Sequence, residues 1–451
     1  MIVQTIKPSS EKLKLKPIEI DMAGLSPEQR DKKLENVAAQ PQVYYFDTEI
    51  PAQSIKKLII DNVNFLPIFS LTFIDTMGLL HDVGFPTDNA TIKIVIPTNN
   101  KLLANIFMEF KIQKFQVEMM KDAVTRRITM TGVCNIEKLL ISEFKSYPNM
   151  SSFEIYQDFA NQTGLGLMSN ITTSSDKMNW INFGWKNTYF LQDLVNKAWV
   201  GETGFLWGFV DLYYNLNFID LEKALSQDIT EIKWVNTNIF DDQLSTEDPS
   251  NAPLISPMLT NSDSQKMTNS YFVGEKILNK STETSLNRGY LRNVHYYDID
   301  GNWEEKSGAY KSYVLDTITT PGSENTSIYL KGDPGNLDFY NANQSYHYMD
   351  KLDTKNMYPD FLWAKLQNEE NLQDLQKITM QIILPKPNFN IKRFDKVNLV
   401  FANNNVTVAG NAKNIKLNGQ WLVTGMYYEW NGSILYQYVN IVKRELTFED
   451  L

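Results

Sequence analysis

The stretch IFMEFKIQKFQVEM, Ile106 to Met119, alternates apolar and polar residues through Ile106, Met108, Phe110 and Ile112. It then slips by one position at Gln113 and Lys114 and resumes at Phe115, Val117 and Met119. Successive side chains of a strand point to opposite faces, so strict alternation marks a half-buried strand. A one-residue slip inside it marks a β-bulge, which bends the strand. The neighbouring sequence has the same period. Phe69-Ser70-Leu71-Thr72-Phe73 precedes it, followed by Ile92, Ile94 and Ile96, and Val124, Ile128 and Met130 come after it. Short, bent, closely spaced strands of this kind predict a small β-barrel over residues 41–138.

Beyond that barrel the period becomes helical. Ser151-Ser152-Phe153-Glu154 has capping-box spacing, and Phe153, Tyr156, Phe159 and Ala160 share one helical face that stops at Gly164. A second helix is expected from about Thr188 to Val200. Its inner stripe is Leu191, Leu194, Val195 and Ala198, and Gly201 ends it. GFLWGFVDLYYNLNFIDLEK, residues 204–223, reads as two aromatic strands joined near Asp211. Residues 139–223 thus predict an α/β helix–hairpin module.

Residues 224–317 begin with turn-forming polar stretches and contain strands near Tyr290–Tyr297, with Asp300-Gly301 as a hairpin turn. Residues 318–375 read as an irregular insertion in which MYPDFLWAKLQ is a short helix. The stretch 376–451 returns to β: Ile378, Met380 and Ile382 alternate with polar partners, as do Val397, Leu399 and Phe401. Asn418-Gly419 and Asn431-Gly432 are hairpin signals between aromatic strands. The expectation is a second barrel made of 224–317 and 376–451, in a pseudo-repeat with the first. Residues 1–40 form an extended polar arm, broken by prolines, that docks on another surface. A short helix is expected from Ser26. The fold class expected is α+β, mainly β.

Composition narrows the function. An aromatic fraction of 12% is too high for a disordered chain. The single cysteine, Cys134, excludes an intrachain disulfide framework and clustered-thiolate zinc sites, and among apolar neighbours it reads as a buried inert thiol. A net charge of −10 without a basic stripe opposes sequence-specific nucleic-acid binding, since such a surface repels phosphate. The N-terminus lacks the apolar core of a secretory signal, and no segment has the roughly 20 apolar residues that would span a bilayer. Assembly in a cytoplasm is the expectation.

No catalytic pattern emerges, and the expected lists of catalytic, cofactor-binding and metal-ligating residues are all empty. His81, His295 and His347 are far apart in the chain and lack ligand spacing. Gly164-Leu165-Gly166 follows a helix, the wrong side for cradling phosphate. Asp298-Ile299-Asp300-Gly301-Asn302-Trp303-Glu304 loosely resembles a calcium loop, but Asp-Gly between strands explains it as a turn. The aromatics from Trp180 to Phe218 could line a sugar-binding cleft, although core or interface is the simpler reading.

The order of these modules resembles the hub family of contractile tails: phage baseplate hub proteins, phage late-control D proteins and the hub half of type VI secretion spike proteins. Phe190, Leu191, Leu194, Gly201, Gly204 and Phe205 fill the positions of that family's helix and strand pair. LPKPNFNIKRFDKVNLVF and NGQWLVTGMYYEWNGSILYQYVNIVKREL match its closing strands. Related segments often carry glycine where Phe394 stands. The resemblance implies a non-enzymatic homotrimer whose six barrels form a ring. The ring would join the tail tube, or its initiator proteins, to a central spike, contact baseplate wedge proteins and let DNA pass. The virion tail baseplate is the implied location. The competing readings are a receptor- or glycan-binding tail adhesin and a tail-associated peptidoglycan hydrolase.

Overall fold

The computed structural model describes residues 2–9, most of 40–98, 105–121, 125–201 and 204–227, most of 271–280, and most of 357–400 and 419–443. It also describes the strands 233–236, 291–298, 303–306 and 343–352. The helix expected from Ser26, His81, Val124 and the Asp300-Gly301 turn lie outside the described residues.

The chain is mainly β, as expected. Strand β1 spans Val3–Ile6, and β2 (Gln42–Tyr45) and β3 (Thr48–Ile50) form a tight hairpin. Then follow β4 (Ile55–Asn62), β5 (Ile68–Asp75), β6 (Thr91–Ile96), β7 (Ile106–Met119) and β8 (Arg126–Cys134). Their inward rows, such as Phe69, Leu71 and Phe73, or Ile106, Met108 and Phe110, are buried as the alternation requires. The bulge falls where the phase slip puts it. Ile112 pairs with Gly132 and Lys114 with Thr131, leaving Gln113 as the extra residue. Past the bulge only Phe115 and Val117 still pack against the core, and Gln116, Glu118 and Met119 are exposed. Gly132 is required there because a Cβ would lie 2.0 Å from the Lys111 carbonyl oxygen.

The central module opens with helix α1 (Glu137–Leu140) and strand β9 (Ser142–Met150). Helix α2 runs Ser152–Thr163 and has the expected capping box. The Ser151 hydroxyl accepts from the Glu154 N–H, and the Glu154 carboxylate accepts from the Ser151 N–H. Gly164, in the left-handed conformation at φ 69°, closes it. Strand β10 (Gly166–Ser169), strand β11 (Met178–Lys186) and helix α3 (Asn187–Asn196) follow. The pair β12 (Leu206–Val210) and β13 (Asn215–Asp220) turns near Asp211 as read from sequence, and helix α4 (Leu221–Leu225) comes next. The arm contributes to this module directly: β1 pairs with β10, giving a four-stranded sheet in the order β1-β10-β13-β12.

Helix α3 stops four residues short of the expected Val200, and tertiary partners decide where. The Asn368 side-chain amide donates to the carbonyls of Val195, Asn196 and Ala198, and its oxygen accepts from the Leu206 N–H at 3.0 Å. The Asp176 carboxylate takes the Trp199 N–H. These bonds satisfy helix-end carbonyls and loop donors that a longer helix would have satisfied within itself. Asn368 belongs to the stretch expected as an insertion. Residues 361, 364, 365, 368, 371, 372 and 375 are helical there, and Ala364, Asn368, Asn371 and Leu375 are buried.

The C-terminal half contains β14 (Lys233–Asn236), β15 (Tyr271–Phe272), β16 (Gly274–Asn279), β17 (Leu291–Asp298), β18 (Trp303–Lys306), β19 (Asn343–Leu352), β20 (Ile378–Leu384), β21 (Lys396–Val400), β22 (Gly419–Trp430) and β23 (Leu435–Lys443). Strands β18, β17 and β19 form a sheet of their own. The others join β2 through β8 in one ladder, because β22 pairs antiparallel with β4 from Met426↔Asn62 to Trp430↔Leu58. None of the described sheets closes into a barrel. The two strand-built halves are instead continuous across the β4–β22 seam.

A buried joint lies close to the seam. Arg393 donates to the carbonyl of Thr424 at 2.8 Å and of Asn64 at 3.2 Å, and its guanidinium rests 4.0 Å from the Phe209 ring centre. One side chain thus ties both halves to the module. Burial pushes its pKa down to about 9 against the charges of Asp61 and Asp211, so it stays protonated at neutral pH. Phe394 beside it has a backbone φ of 69°, a conformation that suits glycine, and is fully buried against Trp207 and Phe209.

Candidate assembly surface

Strands β9 and β11 pair only with each other among the described residues, making a two-stranded ribbon outside the main sheets. Such a ribbon is marginal alone and needs packing on one face. Its inner face supplies that packing. Tyr147 stacks on Phe190 of α3 with ring centres 5.4 Å apart, and Trp180 packs near Tyr358 and Phe361. Lys145 lies over the Tyr147 ring at 4.5 Å.

Polar groups fix the ribbon to its helices. Asn182 accepts from the Trp185 N–H and donates to the Trp185 carbonyl and to Asn187, holding the irregular end of β11. Asn187, at the start of α3, donates to the Lys138 carbonyl and to Glu143. Burial pushes the Glu143 carboxyl up, but the Lys138 ammonium and the Asn187 amide outweigh it and hold the pKa below its ordinary value.

The outer face carries the opposite composition. Phe144 and Phe183 are a direct cross-strand pair, 87% and 66% exposed. Ile181 and Trp185 share their face of β11, and Ile141 precedes β9; all three are exposed. The Phe144 ring lies over Gly184, at φ 88°, where a Cβ would sit 2.5 Å from it. Single exposed apolar residues are ordinary, but a contiguous aromatic face marks an interaction site. The sequence signal was the run WINFGW, with Trp180 in one strand phase and Ile181, Phe183 and Trp185 in the other. Alternation alone could not say which phase faces inward.

The other residues weighed from sequence have structural placements. Cys134 is buried and forms no disulfide. Gly164 caps α2, and Gly166 packs against Asn215 and Ile6, where a Cβ would meet the Asn215 oxygen at 2.2 Å. His295 and His347, distant in the chain, stand in register on β17 and β19. Of the Trp180–Phe218 aromatics, Trp180, Phe190, Phe205, Phe209 and Phe218 are core, while Phe183, Trp185 and Tyr189 are surface. Buried Asp176 accepts from Ser152, Ser174 and Trp199; burial raises its pKa and these bonds oppose the rise. That set ties the start of α2 to the segment after α3. No group of three or more His, Cys, Asp or Glu able to hold a metal occurs among the described residues, and no described helix is long and apolar enough to cross a membrane.

No protein-family model matches the chain, and no curated protein sequence matches it. Solved structures do. The 43 kDa tail protein of prophage MuSo2 from Shewanella oneidensis is 7% identical with a TM-score of 0.52, covering 91% of this chain and 99% of that one. A tail protein from Neisseria meningitidis is 10% identical with a TM-score of 0.47, covering 90% and 96%. An E. coli component of the type VI secretion system, described as similar to the T4 tail proteins gp27 and gp5, is 7% identical with a TM-score of 0.42, covering 88% and 76%. Across nearly its whole length, therefore, this chain shares the fold of a phage tail protein.

Proposed function

We propose that the chain is a structural hub subunit of a contractile phage-type tail. Three copies close a ring that joins the tail tube to the central spike and lets DNA through. The observation that carries this reading is the fold shared with the Shewanella prophage tail protein over 99% of that protein's length. Each copy offers two strand-built halves joined at the β4–β22 seam, which supports a threefold ring with sixfold character. In this reading each half curls into a barrel. Ring closure also covers sheet edges that would otherwise template aggregation. A net charge of −10 suits a lumen through which nucleic acid must slide without sticking. The spike, the tube or its initiator, and the wedge proteins are the partners of such a subunit in the virion baseplate, and no chemistry is assigned to it.

Mass by light scattering across a concentration series tests the reading, with negative-stain images of the assembled species. The expected result is a particle of three times the 52.0 kDa chain with a central hole. A persistent monomer that binds glycans would favour the adhesin, and turnover of purified cell wall would favour the hydrolase.

A further inference from the structure

We propose that the outer face of the β9–β11 ribbon is the surface by which one copy of this chain seats on the next. It meets a second apolar surface on that copy, made of Phe46 at the β2–β3 hairpin tip with Phe85 and Met119. The inference rests on the ring reading and names the contact within it.

Size is the first argument. Ile141, Phe144, Ile181, Phe183 and Trp185 together expose roughly 600 Å², taking a large side chain as about 150–250 Å². That approaches the roughly 800 Å² per partner of a standard stable interface, and most of it is aromatic.

Closure is the second. A ring of three uses one patch on each copy against a different patch on the next, so the chain must carry two. A second exposed apolar cluster exists. Phe46 is 44% exposed, Phe85 59% and Met119 62%. Short contacts link the segments that carry them: the Tyr45 hydroxyl donates to the Gly84 carbonyl at 3.1 Å, the Phe85 ring packs 5.7 Å from Phe115, and Phe115 lies four residues before Met119 along β7.

Backbone strain is the third. Phe46 and Asp47 form the two-residue loop between β2 and β3, with φ of 47° and 63°. Such a turn favours Asn and Gly, and a bulky residue with positive φ is a genuine outlier. Within the chain the Phe46 ring gains an edge contact with Tyr45 at 4.6 Å and otherwise faces outward. A strained turn that holds an aromatic ring out into solvent is explained by a surface that receives the ring.

Charge is the fourth. Around the ribbon, Lys138 pairs with Glu143, Lys145 with Asp158 and Lys177 with Glu154; at the tip, Lys93 pairs with Asp47. Some of the charge beside these faces is therefore already paired within each copy, which lowers the like-charge cost when two copies of a chain of net charge −10 meet.

The test places the photo-crosslinker p-benzoylphenylalanine at position 183 in full-length chain, mixed with isotope-labelled chain. The expected products join two copies and map to residues 44–48, 84–87 or 115–121 of the other one. In parallel, Phe144→Asp with Phe183→Asp, and separately Phe46→Gly, should each raise the concentration of half-assembly about 30-fold or more. Phe46→Gly should do so while raising the unfolding midpoint of the dissociated chain, because glycine fits the turn, so weakened assembly cannot be blamed on misfolding. Crosslinks within one chain would mean the ribbon is covered by the chain's own segments and would overturn the proposal. A trimer that survives all these substitutions would overturn it while leaving the ring reading standing. A wild-type monomer without interchain crosslinks would end both.

Discussion

Replacing Phe394 by alanine and by glycine separates two effects that usually reinforce each other. Phe394 is fully buried, with its ring 5.9 Å from Trp207 and 5.6 Å from Phe209, so deleting it should cost about 3–5 kcal/mol in either variant. The backbone effect differs between them. At φ 69° a residue with a Cβ carries a penalty of roughly 1–2 kcal/mol, which alanine keeps and glycine removes. Glycine returns about 0.5–1 kcal/mol of that through its greater freedom in the unfolded chain. The Phe394→Gly variant should therefore be the more stable of the two by roughly 0.5–1 kcal/mol, the reverse of the order found at ordinary positions. Urea unfolding followed by tryptophan fluorescence measures it, at one fixed protein concentration so that assembly does not shift the comparison. An alanine variant as stable as the glycine variant, or more so, would refute the argument that the left-handed backbone is strained here.

Asn368→Ala should cost about 2–4 kcal/mol, because three carbonyls and the Leu206 N–H lose a buried partner; hydrogen exchange should speed up at residues 193–206 before the rest of the module. Gly132→Ala should cost at least about 3 kcal/mol or prevent folding, since the new Cβ meets backbone at 2.0 Å; soluble yield and near-ultraviolet dichroism report it. Burial raises the Asp395 pKa to about 6 against its bond from the Lys392 N–H. A carboxyl raised on folding binds its proton more tightly in the native state. Its contribution is complete below about pH 4 and is lost as pH climbs through 6. Asp395→Asn should remove a fall of roughly 1–2 kcal/mol between pH 4 and 6.5, read from urea midpoints at the two pH values.

Much of the local structure was legible because it depends on residues a few positions apart. The slip at Gln113 became the bulge, Ser151 and Glu154 closed their capping box, and Gly432, at φ 94°, turns between Trp430 and Leu435. The stripe Phe153, Tyr156, Phe159 and Ala160 became the buried face of α2. The expected mainly β class follows from these repeats alone, since period 2 and period 3.6 are set by backbone geometry.

Tertiary structure decided what depends on distant partners. The pairing of Leu58 with Trp430 made two strand-built halves into one ladder, and no local pattern encodes which strand edge an open strand will meet. Asn368 and Asp176 ended α3 at Asn196, where sequence expected it to continue, because both supply bonds the helix would otherwise have made itself. Packing on Phe190, Tyr358 and Phe361 turned Tyr147 of β9 and Trp180 of WINFGW inward and left Phe183 and Trp185 outside. The sequence by itself set the alphabet of strands, helices and turns, since each is fixed within a few residues. Only the folded chain decided which apolar face was spent on the core and which remained open for a partner, because burial is a property of what lies opposite.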